Sequence, residues 1–182
     1  MTTRALLFLV LAGTIAACAS TPSPKPATAA RLEPAQCGSI SRLHSYNGIL
    51  LASQPSAADF DFARKDGVKA VLNFRLDSEL KDFEEAKVVE GLGMKYISIP
   101  WHGEEQLTDA VFDKGRQALS TAPRPLLVHC ASANRVGAIW FAWRAIDGGV
   151  PVEQALDEAK TIGMKTPGFE TRGRAYIAKH TK

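Results

Sequence analysis

The stretch from Leu126 to Arg135, Leu-Leu-Val-His-Cys-Ala-Ser-Ala-Asn-Arg, constrains this chain more than any other. Leu126-Leu127-Val128 is a short apolar run with Pro123 and Pro125 before it, the pattern of a central strand buried on both faces. After the loop, Val136, Ala138, Ile139, Trp140, Phe141, Trp143 and Ile146 leave only Arg144 and Asp147 to face solvent. A helix that apolar must run through a core. A buried strand feeding a buried helix points to an α/β fold, with a central, mostly parallel sheet flanked by helices.

The surrounding segments agree. Ile49 to Ala52 reads as a first strand, and Ser56 with Asp59 three residues on opens a helix that runs to Lys65 and stops at Gly67. Ala70 to Phe74 is the next strand. Asp77 to Glu90 carries Leu80, Phe83, Ala86 and Val89 at helical spacing, which predicts one helix ending at Gly91. Lys95 to Trp101 alternates, with Ile97, Ile99 and Trp101 on one face and Tyr96 and Ser98 on the other. Thr108 to Leu119 reads as an amphipathic helix. Gly148-Gly149 ends the buried helix, and Pro151 to Ile162 and Pro167 to Lys179 each open on proline and predict helices on one side of the sheet. There is no internal repeat.

The N-terminal residues have a different character. Met1 to Arg4 is a short basic start and Ala5 to Ala12 an apolar run too short to span a bilayer, as in a secretory signal. The run closes on Ile15-Ala16-Ala17-Cys18, which resembles a bacterial lipobox, so residues 1–17 are expected to be a lipoprotein signal peptide and Cys18 the lipidated residue. With Ala19 and no acidic residue after it, the resemblance implies a lipid anchor in the outer membrane and a periplasmic location. Residues 18–36, rich in proline and small polar residues, read as a flexible tether. Residues 37–182 remain as one domain, large enough to bury a proper core. Lys and Arg number 22 against 19 Asp and Glu, a formal net charge of +3 without any basic block, so no nucleic-acid partner is expected.

The loop after Val128 carries the chemistry. Cys130 leaves a strand end and Arg135 begins a helix, whose first backbone N–H groups lack intrahelical partners and carry roughly half a positive charge. Such a helix start favours a thiolate and a bound anion together, and Arg135 adds a fork of donors for two oxygens of a tetrahedral oxyanion. Cys130 is therefore the candidate nucleophile.

The His129-Cys130 loop with Arg135 after a buried strand resembles the protein tyrosine phosphatase superfamily, dual-specificity-like. Val71-Leu72-Asn73-Phe74-Arg75 with Glu79, the Tyr96 to Pro100 strand, and Gly149-Val150-Pro151 through Ala155 before Gly163 extend the resemblance over about residues 40 to 165. They are most similar to bacterial beta-lactamase hydrolase-like, phosphatase-like domain proteins. The resemblance implies a tyrosine phosphatase-like fold and a cysteine-dependent phosphatase. In it Cys130 forms a thiophosphate intermediate and Arg135 binds phosphate. The amides of Ala131, Ser132, Ala133, Asn134 and Arg135 cradle the phosphate oxygens, and His129 supports the loop. Arg75 and Glu79 would be a structural ion pair under the sheet.

The sequence departs from that pattern in four places. Only Ala131 to Asn134 separate Cys130 from Arg135, one residue fewer than in these phosphatases and the spacing of rhodanese-type sulfurtransferases. Ala133 stands where glycine is usual, so a side chain is expected at a position that favours φ > 0. Val136 replaces a hydroxyl residue. Gly103 replaces the aspartate that protonates the leaving group, making Glu104 the expected general acid, with Glu105, His102 and Asp109 as alternatives. Phosphorylated and sulfur-containing anions are both admissible substrates, and the rival readings are a sulfurtransferase carrying a Cys130 persulfide and a non-catalytic anion binder. No metal-ligand cluster or nucleotide fingerprint appears in the sequence, so no metal and no cofactor are expected. Cys37, the remaining thiol, could close a disulfide with Cys130.

Overall fold

The strand before Cys130 lies at the centre of the sheet. The computed structural model describes residues 30–181, so the signal segment, Cys18 and residues 18–29 of the expected tether lie outside the described residues. Six strands, β1 (Glu33–Pro34), β2 (Leu43–Tyr46), β3 (Ile49–Ala52), β4 (Ala70–Asn73), β5 (Lys95–Ser98) and β6 (Leu126–His129), form one sheet in the order β1-β2-β3-β6-β4-β5. β6 pairs in parallel with β3 on one side and β4 on the other, and β4 pairs in parallel with β5. All four β6 residues are buried, as its proline-flanked apolar run requires.

β1 and β2 add an antiparallel edge that the sequence reading lacks. Asn47 and Gly48 join β2 to β3 with φ of 43° and 75°, the two positive values of a tight hairpin turn, which asparagine and glycine tolerate best. β1 falls inside the expected tether, so the ordered domain begins before residue 37.

Helices cover both faces. α1 (Ala57–Lys65) opens on the expected capping box of Ser56 and Asp59 and, with α2 (Glu85–Gly91), encloses one apolar cluster with Phe60, Val71, Val89 and Leu127. α3 (Asp109–Thr121), α4 (Asn134–Ile146), α5 (Val152–Ile162) and α6 (Pro167–His180) enclose the other, with Ile97, Ile99 and Trp101 on this side and Tyr96 on the first. α4 is wrapped by its neighbours. Gly137 lets it approach α5 closely: a Cβ there would stand 2.7 Å from the Ala159 carbonyl and 2.8 Å from Met164 Cβ.

Two expectations about the helices are corrected. Arg144 does not face solvent: it is 6% exposed, its Nε and Nη2 donate to Glu158 at 2.7 and 3.1 Å, and its guanidinium lies 4.6 Å from the centre of the Tyr46 ring. Its apolar stem and paired head let a charged residue sit in a core helix. Asp77 to Glu90 is not one helix either. A single 3-10 turn at Asp77–Glu79 is followed by irregular chain up to α2. The Glu79 carboxylate is drawn to Arg135 and its carbonyl accepts from Arg75 Nη2, so that carbonyl is not free for the next helical turn.

Candidate active site

Cys130 emerges at the carboxyl end of β6, where the ends of the parallel strands leave a crevice, the usual ligand position in open α/β sheets. Phe74 N–H still donates to the His129 carbonyl at 3.1 Å, and Gln54 N–H reaches the Ala131 carbonyl at 3.2 Å, so flanking strands hold the first residues of the loop. A left-handed residue then swings the chain into α4. That residue is Ala133, with φ 65° and ψ 3° and no exposed surface, as expected for the place of the usual glycine. Single alanines in this region cost of order 1 kcal/mol, offset here by burial of the methyl group.

Asn134 fastens the loop from the far side. Its Nδ2 donates to Thr166 Oγ1 and its Oδ1 accepts from Lys165 N–H, both at 2.8 Å. Among the described residues the N–H groups of Ala131, Ser132, Ala133, Asn134 and Arg135 donate to no carbonyl. They are the unpaired donors of a helix start.

Arg135 is 7% exposed and held firmly. Its Nη1 donates to Glu79 Oε2 at 2.7 Å, to the Trp101 carbonyl at 2.8 Å and to the Phe74 carbonyl at 3.1 Å, and its Nη2 to Glu79 Oε1 at 2.7 Å. A guanidinium has five N–H donors. Nη1 spends both of its own and Nη2 one, which leaves Nε–H and the second Nη2–H side by side as a fork for two oxygens. The hydrogen bond from Arg135 holds the Glu79 carboxyl down to about 2, and the backbone N–H of Leu76 and the charge of Arg75 act in the same direction against burial. Burial would lower the Arg135 pKa, but Glu79 and then Cys130 act against it, and its pKa is raised. Glu79 thus anchors Arg135 at the cleft. The expected ion pair with Arg75 is also present, at 3.7 Å, and Arg75 Nη2 donates to the Glu79 carbonyl as well.

His129 has no exposed surface, and its Nε2 lies 3.0 Å from Oε1 of Glu85, a fully buried carboxylate on α2. Burial raises the Glu85 pKa, but the adjacent His129 imidazole and hydrogen bonds from Gln54 and Tyr96 outweigh it and hold Glu85 below the usual carboxylate range. Gln54 also accepts from Arg75 Nη1 at 2.6 Å. A chain of polar contacts therefore runs beneath the loop from His129 through Glu85, Gln54, Arg75 and Glu79 to Arg135. The sequence reading singled out His129 and missed Glu85, which a lone acidic residue in an exposed-looking helix does not announce.

These elements enclose a cleft of about 300 Å³ lined by Glu79, His102, Gly103, Cys130, Ala131, Ser132, Asn134, Arg135, Thr166 and Phe169. Cys130, Ala131, Ser132, Asn134 and Arg135 come together as expected, with Ala133 buried behind them. Glu104 does not. It is exposed, and its carboxylate packs against Gly168 at the start of α6, in the space a side chain would fill. Asp109 is likewise committed elsewhere, to Lys179 at 2.8 Å. Cys37 and Cys130 are both free and sit in different apolar clusters, Cys37 with α1 and Cys130 with α4, so the two thiols do not pair in this structure. Among the described residues no helix is long and apolar enough to cross a membrane.

A Beta-lactamase hydrolase-like protein of Agrobacterium fabrum is 29% identical over 120 residues, 64% of this chain and 28% of the relative. One of Xylella fastidiosa is 29% identical over 133 residues, 70% of this chain and 29% of the relative. The chain spans under a third of the length of these curated relatives. Among solved structures, a DUF442 candidate phosphatase from Shewanella putrefaciens matches with a TM-score of 0.67 and 22% identity over 79% of this chain and 96% of the other. TpbA of P. aeruginosa, in a cysteine-to-serine variant complexed with phosphotyrosine, matches with 0.62 and 22% over 88% and 93%. No family model matches the chain. Sheet order, helix placement and these likenesses show that the chain has a phosphatase-like α/β fold.

Proposed function

We propose that this chain hydrolyses a phosphate monoester with Cys130 as nucleophile. The observation that carries the reading is the set of unspent donors at the cleft: the fork left on Arg135 and the amides of residues 131–135, which donate to no carbonyl, belong to the loop that carries Cys130. Five N–H groups of one loop and a fixed cation suit a group with three equivalent oxygens and negative charge. The Cys130 sulfur attacks phosphorus, the bond to the ester oxygen breaks, and the alcohol leaves. Water then displaces the sulfur from the thiophosphate and releases inorganic phosphate. Val136 offers no hydroxyl to the departing sulfur, so the second step rests on the cradle and the field of α4.

The phosphotyrosine bound by TpbA supports an aryl phosphate as one substrate class. The lipobox-like Ile15-Ala16-Ala17-Cys18 supports a further part of the proposal: attachment to the outer membrane by a lipid anchor, with the cleft in the periplasm. Labelling by a tagged fatty acid that is lost in Cys18→Ala tests it.

One observation favours a second reading. The four-residue spacing between Cys130 and Arg135 matches sulfurtransferases, in which the thiolate takes a sulfur atom from an oxyanion donor and passes it to an acceptor. The experiment compares the full-length chain in mild detergent with Cys130→Ser, on an aryl phosphate and on thiosulfate with cyanide. Cys130-dependent phosphate release supports the phosphatase; Cys130-dependent thiocyanate formation replaces it with sulfur transfer; neither activity leaves an anion-binding protein.

A further inference from the structure

The phosphatase reading leaves the leaving alcohol without a proton donor, because the expected Glu104 packs against Gly168 and does not line the cleft. We infer that His102 is the catalytic acid and base of this site. Of the residues that line the cleft, only Glu79, His102, Cys130 and Arg135 ionise in their side chains. Cys130 is committed as the nucleophile and Arg135 as the phosphate ligand. Glu79 gives both carboxylate oxygens to Arg135 and is held ionised down to about pH 2, so it carries no proton to give. His102 remains. Imidazole can both give and take a proton at its ring nitrogens, the two roles the reaction needs.

The backbone fixes the position of residue 102 at the cleft. Trp101, one residue before, is 1% exposed and its carbonyl accepts from Arg135 Nη1, so His102 is tied through a single residue to the group that orients the phosphate. On the other side, His102 N–H donates to Gln106 Oε1 at 2.8 Å and Leu107 is buried, which closes the turn from both ends. Gly103, at φ 69°, makes that turn and lines the cleft beside it. The histidine side chain is exposed at the mouth, where the alcohol of a bound ester must lie if its phosphate sits on the Cys130 loop.

The proton balance closes with this one residue. In the first step protonated His102 gives its proton to the ester oxygen as the phosphorus–oxygen bond breaks and the sulfur–phosphorus bond forms. In the second, neutral His102 takes a proton from the attacking water as the sulfur leaves, and the site returns to its starting state.

This inference rests on the phosphatase reading, and leaving-group dependence separates the two. A para-nitrophenolate leaves without help, whereas phenolate needs protonation. The full-length chain, His102→Ala, His102→Gln, Glu104→Gln and Cys130→Ser are assayed on para-nitrophenyl phosphate and phenyl phosphate. The expected result is a loss of about 100-fold or more on phenyl phosphate in both His102 variants, within the range for general acids, and under about tenfold on para-nitrophenyl phosphate. Glu104→Gln stays near wild type on both. An equal loss on the two substrates, or none, overturns the role of His102 while the phosphatase stands. Absence of any Cys130-dependent phosphate release overturns both. His102→Gln keeps a polar side chain of similar reach, so loss shared with His102→Ala reports the missing proton and not a collapsed loop.

Discussion

Replacing Glu79 by glutamine removes the charge that anchors Arg135 and nearly preserves the shape of the side chain. A carboxyl held at about 2 instead of its ordinary 4.5 contributes about 3 kcal/mol, at ~1.36 kcal/mol per pH unit. Its side chain is 22% exposed, so little of this is lost to screening by solvent. The folded-state value lies below the unfolded one, hence the stabilisation is complete above pH 4.5 and disappears as pH falls towards 2. Urea unfolding of the wild type and Glu79→Gln across this window gives the assay. Wild type is expected to be more stable by about 3 kcal/mol at neutral pH, with the gap closing below pH 4.5 and nearly gone at pH 2. A gap that stays constant with pH, or one below about 1 kcal/mol at neutral pH, would refute the claim that Glu79 is an ionised anchor for Arg135.

Other substitutions test the scaffold around the loop. Gly137→Ala drives a methyl into the Ala159 carbonyl and Met164, and is expected to cost at least about 2 kcal/mol by separating α4 from α5, measured by urea unfolding. Asn134→Ala loses both ties to residues 165 and 166; a cost of about 2 kcal/mol and a raised KM on aryl phosphate are expected, and an unchanged KM would show that the loop holds its shape without them. Ala133→Gly relieves the left-handed backbone but gives up a buried methyl, so its stability should lie within about 1 kcal/mol of wild type by the same unfolding measurement.

The parts of the fold legible in the sequence are those where a single local pattern decides the structure. Leu126 to Val128 and the apolar helix behind Arg135 could only be interior, and Ser56 with Asp59 is a capping box that needs no tertiary partner. The hairpin at Asn47-Gly48 was equally local, and its turn residues are the signal by which β2 could have been found. Elsewhere long-range pairing overrides the local pattern. Glu79 has the sequence appearance of a helical residue, but Arg135, far along the chain, takes its carboxylate. Arg144 looks like a surface residue until Glu158 and Tyr46 are seen around it. Within the site, Cys130, Arg135 and the strained Ala133 followed from the loop itself. The direction in which the turn after Trp101 points Glu104 and His102 depends on the docking of α6, which neighbouring residues do not encode.

The most direct test of the central claim is to mix the full-length chain with an aryl phosphate, quench in acid within a turnover, and locate any covalent adduct by mass spectrometry of the peptide containing residue 130. One phosphoryl group on Cys130, absent in Cys130→Ser, is the predicted result. An unmodified Cys130 during active phosphate release, or a phosphoryl group on another residue, would contradict the account.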